Sequence, residues 1–140
     1  MRALLAFLAI VATPALATPA SDAIGPAVNA ARAQAGLPPM AVDPRLDAAA
    51  QSYAEDMART GRFDHVGADG STQVTRAQAS GCGTAYVGED IAYGMTSAQA
   101  AFDGWMGSAQ HRANILTGAF GAMGVGNAAD RWVIMFADRC

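Results

Sequence analysis

Residues 122–137 read AMGVGNAADRWVIMFA, and their pattern indicates the fold class. Two β-prone runs, Ala122 to Asn127 and Trp132 to Ala137, are separated by the four residues 128–131. This arrangement is typical of an antiparallel hairpin. The chain before residue 122 has mostly helical periodicity, so several helices precede a small sheet. We therefore predict an α+β fold with the antiparallel sheet sandwiched by helices.

The clearest helix lies between Asp43 and Gly61. Asp43 is a favourable N-cap, Pro44 stands at the first helical position, and Gly61 follows the end. Apolar side chains recur on one face of this segment. Further helical patterns cover residues 22–35, the segment from Ser71 through Ala79, a segment capped by Ser97 and one turn starting at Ser108, whereas residues 86–93 are extended or irregular.

Composition narrows the class of protein. The 140 residues are enough for one domain with a single sizeable core. Apolar residues make up 52% and charged residues 15%, which argues against a disordered or fibrous chain. The formal net charge is −3, and the nine basic residues are all Arg and scattered singly. We therefore expect no nucleic-acid partner.

The N-terminal 17 residues are typical of a secretory signal peptide. A positive start at Arg2 precedes ten apolar residues, 3–12, and an Ala-x-Ala cleavage pattern ends at Ala17. Ten residues in a helix cover about 15 Å, half of a bilayer, so we expect no permanent membrane span. The alternative is a buried N-terminal helix. We predict a signal peptide over residues 1–17, a single domain over residues 22–140, and a secreted or periplasmic location.

Export changes the interpretation of the two cysteines, Cys82 and Cys140. In an oxidising compartment an isolated pair is more often a disulfide than a metal site, and no CxxC motif is present. Such a bridge would tie residue 140 to the middle of the chain. We predict this disulfide, with two independent thiols as the alternative.

Only two His and two Glu are available for catalysis or metal binding. Two imidazoles and one carboxylate, here His65, His111 and Glu89, are a known open ligand shell for zinc, which leaves a position for water or substrate. The three residues are 24 and 22 positions apart, so spacing alone does not show that they converge. A serine hydrolase would instead combine Ser108 with His111 and Glu89. Ser108 is better explained as a helix cap that needs no activated hydroxyl.

Seven short motifs occur in order along the chain. They are residues 43–51 (DPRLDAAAQ), 57–65 (MARTGRFDH), 69–71 (DGS), 88–92 (GEDIA), 105–116 (WM, then Ser108 and HRANIL), 124–126 (GVG) and Trp132. Together they resemble the bacterial branch of the CAP superfamily, which comprises cysteine-rich secretory proteins, antigen 5 and plant pathogenesis-related 1 proteins. The resemblance covers about residues 26–137, and no single motif would suffice for it.

The resemblance implies an α-β-α sandwich with a cavity that the family lines with two His and two acidic side chains. His65, Glu89 and His111 match three of these four positions. Ser108 stands at the fourth, where animal and plant members have an acid, and Asp90 stands where Asn is usual. With one carboxylate fewer, the resemblance implies a weaker site for zinc or another divalent cation.

The roles proposed for the family are sterol or fatty-acid binding, protein interaction and, in a few members, proteolysis. We therefore expect an exported, non-catalytic binding domain whose cavity takes a divalent cation or another small ligand, or which binds a protein partner. One alternative is a metal-assisted hydrolase of peptide or cell-wall substrates, with Glu89 or a bound hydroxide as base. Another is a lipid carrier, for which Tyr86, Tyr93 and Met95 are the candidate apolar contacts.

Overall fold

The computed structural model describes residues 17–140, which form three layers with a sheet in the middle. Within these residues the elements are α1 (Pro19–Gln34), β1 (Ala41–Val42), α2 (Pro44–Thr60), α3 (Gln73–Ala79), β2 (Val87–Tyr93), α4 (Ala98–Met106), α5 (Ala109–Ile115), β3 (Ala122–Ala128) and β4 (Arg131–Ala137). The predicted α+β class and the sheet between helices are confirmed. The predicted signal peptide lies outside the described residues, apart from Ala17. No helix in the described part of the chain has the length and hydrophobicity needed to cross a bilayer.

The sheet has the strand order β1-β3-β4-β2. β3 and β4 form the predicted hairpin, whose innermost pair is Ala128 and Arg131. β2 runs antiparallel to β4 along its whole length, beginning with Val87 opposite Ala137. β1 pairs in parallel with β3, so the sheet is mixed rather than purely antiparallel as predicted. A strand of two residues is too short to leave a period in the sequence.

The sheet carries a separate hydrophobic cluster on each face. Along β4, Trp132, Ile134 and Phe136 belong to the cluster beneath α1 and α4, whereas Val133 and Met135 belong to the cluster beneath α2. This alternation follows from the two-residue period of a strand, which sends successive side chains to opposite faces. The unbroken apolar run of β4 is therefore the signature of a strand buried on both sides.

Two glycines of β3 allow α2 to pack directly against the strand backbone. A Cβ atom at Gly124 would lie 2.2 Å from backbone atoms of Leu46 and Asp47, and one at Gly126 would lie 2.3 Å from the backbone of Ala50. Real Cβ atoms do not approach other heavy atoms so closely, so any side chain there would force the helix away from the sheet. The backbone of α2 therefore packs directly against β3, which fixes the position of this helix on the sheet.

Local sequence signals place the ends of α2 and α4 correctly. The Asp43 side chain accepts a hydrogen bond from the amide of Arg45 at 2.9 Å, and Gly61 ends α2 with a φ of 72°. The Ser97 side chain accepts a hydrogen bond from the amide of Ala100 at 3.1 Å at the start of α4. In both helices the capping residue is the one that the sequence predicts.

Two other helix starts differ from the prediction. α1 begins at Pro19 rather than at Asp22, because Thr18 caps it and proline is suited to the first helical position. α3 is capped by Thr72 rather than Ser71, because Thr72 and Thr75 form a reciprocal capping box. Each error covers three residues or fewer, and the earlier start of α1 adds two buried residues, Ala20 and Ser21.

The predicted disulfide is present. Cys82 and Cys140 are joined with an S–S distance of 2.06 Å, and the bridge spans 58 positions of the sequence. Cys82 follows α3 and is fully buried. The bridge thus ties the segment after β4 to the α2–α3 side of the sheet.

Arg32 is fully buried at the end of α1 and organises the loop between α5 and β3. Its guanidinium donates hydrogen bonds to the carbonyl oxygens of Pro38, Ile115, Thr117 and Phe120, over 2.8–3.2 Å. Burial lowers its pKa below the ordinary value of an arginine. These four carbonyl dipoles supply the negative potential that surrounds the charge.

Candidate functional site

Glu89 of β2 is held between His65 and Arg76. Its side chain is only 1% exposed. One carboxylate oxygen lies 2.8 Å from Nδ1 of His65, and the other accepts a hydrogen bond from Nη2 of Arg76 at 2.6 Å. Both oxygens are therefore already engaged. The structure thus brings together two of the three predicted ligands, His65 and Glu89, and adds an arginine that the sequence did not single out.

Arg76 also anchors the loop that carries His65. Its Nη2 donates to the carbonyl of His65 at 3.0 Å, and its Nη1 donates to the carbonyl of Ser71 at 3.0 Å. The guanidinium carbon lies 3.5 Å from the ring centroid of Tyr53 on α2, a cation–π contact. Because Arg76 is 9% exposed, one buried side chain fixes the position of the His65 loop against α2 and the sheet.

The pKa values of the two histidines are shifted in opposite directions. The hydrogen bond to Glu89 raises the pKa of His65, although partial burial opposes this change. Burial lowers the pKa of His111, and the positive charge of His65 lowers it further. His65 therefore binds a proton at a higher pH than His111 does. Because the charge of His65 lowers the pKa of His111, the two imidazoles interact electrostatically.

His111, on α5, lines a cavity of about 250 Å³ near the end of β2. Residues of both faces of β2 reach this cavity, because Ala92 belongs to the hydrophobic cluster beneath α1 and α4 and Ile91 belongs to the cluster beneath α2. The lining is mostly apolar and consists of Phe63, Ile91, Ala92, Tyr93, Met95, Gly104, Trp105 and His111. Within residues 17–140 no hydrogen bond joins His111 to His65 or Glu89. His111 therefore lines the cavity without a direct hydrogen bond to that pair in the described part of the chain.

Two of the three predicted lipid contacts belong to this cavity. Tyr93 and Met95 line it. Tyr86 does not, because its ring packs against Phe120 with the centroids 5.3 Å apart. Tyr86 lies just before β2 begins and does not line this cavity, so its contact with a lipid stays a prediction.

Four buried side-chain polar atoms lack hydrogen-bond partners in the described part of the chain, and two of them belong to Trp105, which lines the cavity, and to Asp90, which precedes the lining residue Ile91. Asp90 accepts a hydrogen bond from Asn114 of α5 at 2.7 Å through Oδ1, but its Oδ2 has no partner. Burial raises the pKa of Asp90 to about 7, so this carboxyl group is partly protonated near neutral pH. The Nε1 of Trp105, a lining residue, also has no acceptor there.

Ser108 stands at the N-cap position of α5 as predicted, but the predicted capping hydrogen bond is absent. Its carbonyl accepts from the amide of Arg112 at 2.8 Å, whereas its side chain makes no capping bond. Within residues 17–140 its hydroxyl also makes no hydrogen bond to His111. The arrangement of a serine nucleophile with an adjacent base is therefore not formed in the described chain.

Among residues 17–140, no group of three or more His, Cys, Asp or Glu side chains is arranged to hold a metal ion. Each oxygen of Glu89 already contacts one neighbour, Nδ1 of His65 or Nη2 of Arg76. Cation binding at the histidines stays a prediction.

The fold and the site together define an α-β-α sandwich domain with a His–Glu pair and a neighbouring apolar cavity at its outer strand. The chain belongs to the CAP family, the cysteine-rich secretory protein family, whose family model matches residues 26–134. It is 33% identical over 98 residues to the uncharacterized protein YkwD of Bacillus subtilis (strain 168). That match covers 70% of this chain and 38% of YkwD.

Solved structures show the same fold. An extracellular protein containing an SCP domain from Bacillus anthracis str. Ames is 29% identical, with a TM-score of 0.82 over 84% of this chain and 40% of that protein. An outer surface protein of Borrelia burgdorferi, 17% identical, has a TM-score of 0.78 over 86% of this chain and 93% of its own. The chain spans about two fifths of the length of YkwD and of the Bacillus anthracis protein.

Sequence reasoning missed Arg76 and Tyr53. Arg76 is one of nine scattered arginines, and a buried ion pair between α3 and β2 leaves no local pattern in the sequence. Tyr53 is buried on the face of α2 that packs against the sheet, and its contact with Arg76 depends on tertiary packing. A search for acids that need a buried counter-charge could have pointed to an arginine near Glu89.

Proposed function

We propose that this chain is an exported CAP-family binding domain, which is released by cleavage after residue 17. Its cavity beside β2 takes a small ligand or a divalent cation without catalysing a reaction. The observation that carries the proposal is the state of Glu89, 1% exposed with both oxygens engaged by His65 and Arg76. A general base needs a free position facing the substrate proton. Glu89 instead orients an imidazole.

Export is supported by the signal-peptide pattern and by the disulfide. It is further supported by similar structures described as an extracellular protein and an outer surface protein. Chelator-sensitive hydrolysis of peptide or cell-wall substrates, lost in Glu89→Gln, would overturn the binding proposal in favour of a metal-assisted hydrolase.

The donors for a cation are the two histidines. His65 uses Nδ1 to contact Glu89, which leaves Nε2 for a ligand, and a carboxylate behind an imidazole is a common way to orient a metal-binding histidine. Glu89 would join them as a ligand through a lone pair that neither His65 nor Arg76 occupies. Because zinc sites have three or four protein ligands, His65 and His111 alone would make a weak site completed by water. Ligand binding in the cavity does not depend on a cation.

Calorimetric zinc titration tests the cation site. We expect binding in the wild type and in Gln110→Ala, an exposed control on α5, and none in His65→Ala or His111→Ala. Protons compete with zinc for imidazole nitrogen, and the pKa of His65 is raised by Glu89. Zinc affinity should therefore fall as the pH is lowered through the pKa of His65. Equal affinity in all four proteins would contradict this assignment while leaving the fold intact.

The second candidate for binding in the cavity is an apolar ligand with one hydrogen-bond acceptor. Its support is the Nε1–H of Trp105, which is buried, has no acceptor within residues 17–140 and belongs to a residue lining the 250 Å³ cavity. Phe63, Tyr93 and Met95 supply apolar surface around it. A cavity of this size and character suits the polar end and the adjoining part of the chain of a longer apolar ligand, with the polar end at the indole.

Oleate titration, followed by tryptophan fluorescence or calorimetry, tests this candidate. Trp105→Phe keeps the apolar wall and removes only the N–H donor, so oleate affinity should fall by about tenfold. Tyr86→Ala, on the surface away from the cavity, should bind as the wild type does. Absence of oleate binding to the wild type, or an unchanged affinity in Trp105→Phe, would rule the candidate out.

A further inference from the structure

Thr18, the first residue after the Ala-x-Ala pattern, is bonded to two other layers of the domain. Its backbone N donates to Oδ2 of Asp47 on α2 at 3.1 Å, and its hydroxyl donates to the carbonyl of Val125 on β3 at 2.6 Å. The same hydroxyl oxygen accepts from the amide of Ser21 at 3.1 Å and so caps α1. Thr18 is thus an anchored residue, whereas Ala17 before it is exposed.

Asp47 is a buried carboxylate whose hydrogen-bond donors are all uncharged. It is 2% exposed. Besides Thr18, it accepts from the hydroxyl of Ser21 and from the amide of Val125, the latter at 2.9 Å. Within residues 17–140 no Arg or His forms a salt bridge with it. A carboxylate in such a place gains most from a nearby positive charge.

We propose that a signal peptidase cleaves the Ala17–Thr18 bond and that the new α-ammonium group of Thr18 becomes the counter-charge of Asp47. Water adds across the peptide bond, leaving a carboxylate on Ala17 and an amine on Thr18. An α-amine has a pKa of about 8 and is protonated near neutral pH. The atom that now donates as a neutral amide at 3.1 Å would then donate as a cation. Removal of the leader would complete the electrostatics of the domain.

Other charges around this nitrogen decide whether the cation is tolerated. The dipole of α1 disfavours a positive charge at its N-terminus, by a factor of about two to five. Asp22, in the first turn of α1, opposes that effect. The remaining groups around Thr18 from α2, β3 and β4 are Gln51, Asn127 and Trp132, all uncharged. Asp47, buried and in direct contact, therefore dominates.

Mass spectrometry of the protein exported by a bacterial host tests the cleavage position. We expect the intact mass of a chain that begins at Thr18, with the disulfide formed. A mature protein that begins at any other residue would overturn the proposal, because its α-amine would not replace the amide that contacts Asp47.

Acetylation tests the ion pair separately. The sequence contains no Lys, so an amine-selective reagent modifies only the α-amine of a chain that begins at Thr18. The acetylated chain keeps the N–H donor to Asp47 and loses only the charge. We expect the folding equilibrium constant, from urea unfolding with the disulfide intact, to be about tenfold larger for the free amine near neutral pH. Equal constants would contradict the ion pair.

The pH dependence and a variant provide the controls. An opposite charge raises the pKa of an amine, so the advantage should be complete below about pH 8 and vanish as the pH rises through the elevated value. In Asp47→Asn, acetylation should not change stability. Should this variant fail to fold, the acetylation rate of wild-type protein decides: an α-amine that reacts with an ordinary pKa of about 8 would overturn the proposal.

Discussion

Replacing Asp90 by Asn should stabilise the domain at neutral and alkaline pH and have little effect in acid. Burial raises the pKa of Asp90 from the ordinary value of 3.8 to about 7. The folded protein therefore holds a proton that the unfolded chain releases, and wild-type stability falls as the pH rises from about 4 to about 7. At 1.36 kcal/mol per pKa unit, the loss through this group is at most about 4 kcal/mol. Asn cannot ionise and avoids it.

The geometry indicates that Asn fits without rearrangement. Its carbonyl can accept the 2.7 Å hydrogen bond from Asn114, and its NH₂ group would occupy the position of Oδ2, which has no partner in the described chain. That unsatisfied donor replaces the equally unsatisfied proton of the neutral acid, so the two proteins should differ little at about pH 4.

Urea unfolding at about pH 4 and about pH 8 provides the measurement. We expect Asp90→Asn to gain between about 1 and 4 kcal/mol relative to wild type at the higher pH. Asp103→Asn, an exposed change on α4, should behave as wild type at both. A stability difference between Asp90→Asn and wild type that is the same at both pH values would refute the reasoning, because it would mean that Asp90 titrates normally.

Three further predictions concern the contacts that hold the site. Gly124→Ala should destabilise the domain by more than about 3 kcal/mol, because the added Cβ meets the backbone of α2 at 2.2 Å, whereas Gly83→Ala, with nothing within 4 Å, should be neutral in thermal unfolding. Arg76→Met should cost about 3–5 kcal/mol by leaving Glu89 buried without its cation, and adding Glu89→Gln should recover part of the loss in a double-mutant cycle. Reduction of the disulfide should cost about 4 kcal/mol for a bridge spanning 58 positions, and an unchanged urea midpoint would contradict the loop-entropy estimate.

The parts of the fold that could be predicted from sequence are those with local causes. Asp43, Pro44 and Gly61 act within one helical turn of their own positions, and they mark both ends of α2 correctly. The hairpin of β3 and β4 likewise depends on neighbouring residues. β1 could not be predicted, because two residues become a strand only through pairing with β3.

The site could be predicted only in part. The family resemblance pointed to His65, Glu89 and His111, and the structure joins the first two at 2.8 Å. The role of Glu89 depends on Arg76, 13 positions earlier on another element, and no sequence rule predicts that ion pair. Ser108 is the converse case. It marks the start of α5 correctly, but its hydroxyl does not form the predicted capping hydrogen bond.

Arg32 has the structural role that a bound calcium ion has in other proteins. Many loops of extracellular proteins are shaped by a metal that gathers backbone carbonyl oxygens around a positive centre. Here a guanidinium gathers four such oxygens, three of them from the connection between α5 and β3. Because this positive centre is covalently part of α1, dilution or competing ions cannot remove it. This connection should therefore keep its shape in surroundings where calcium-dependent domains lose theirs.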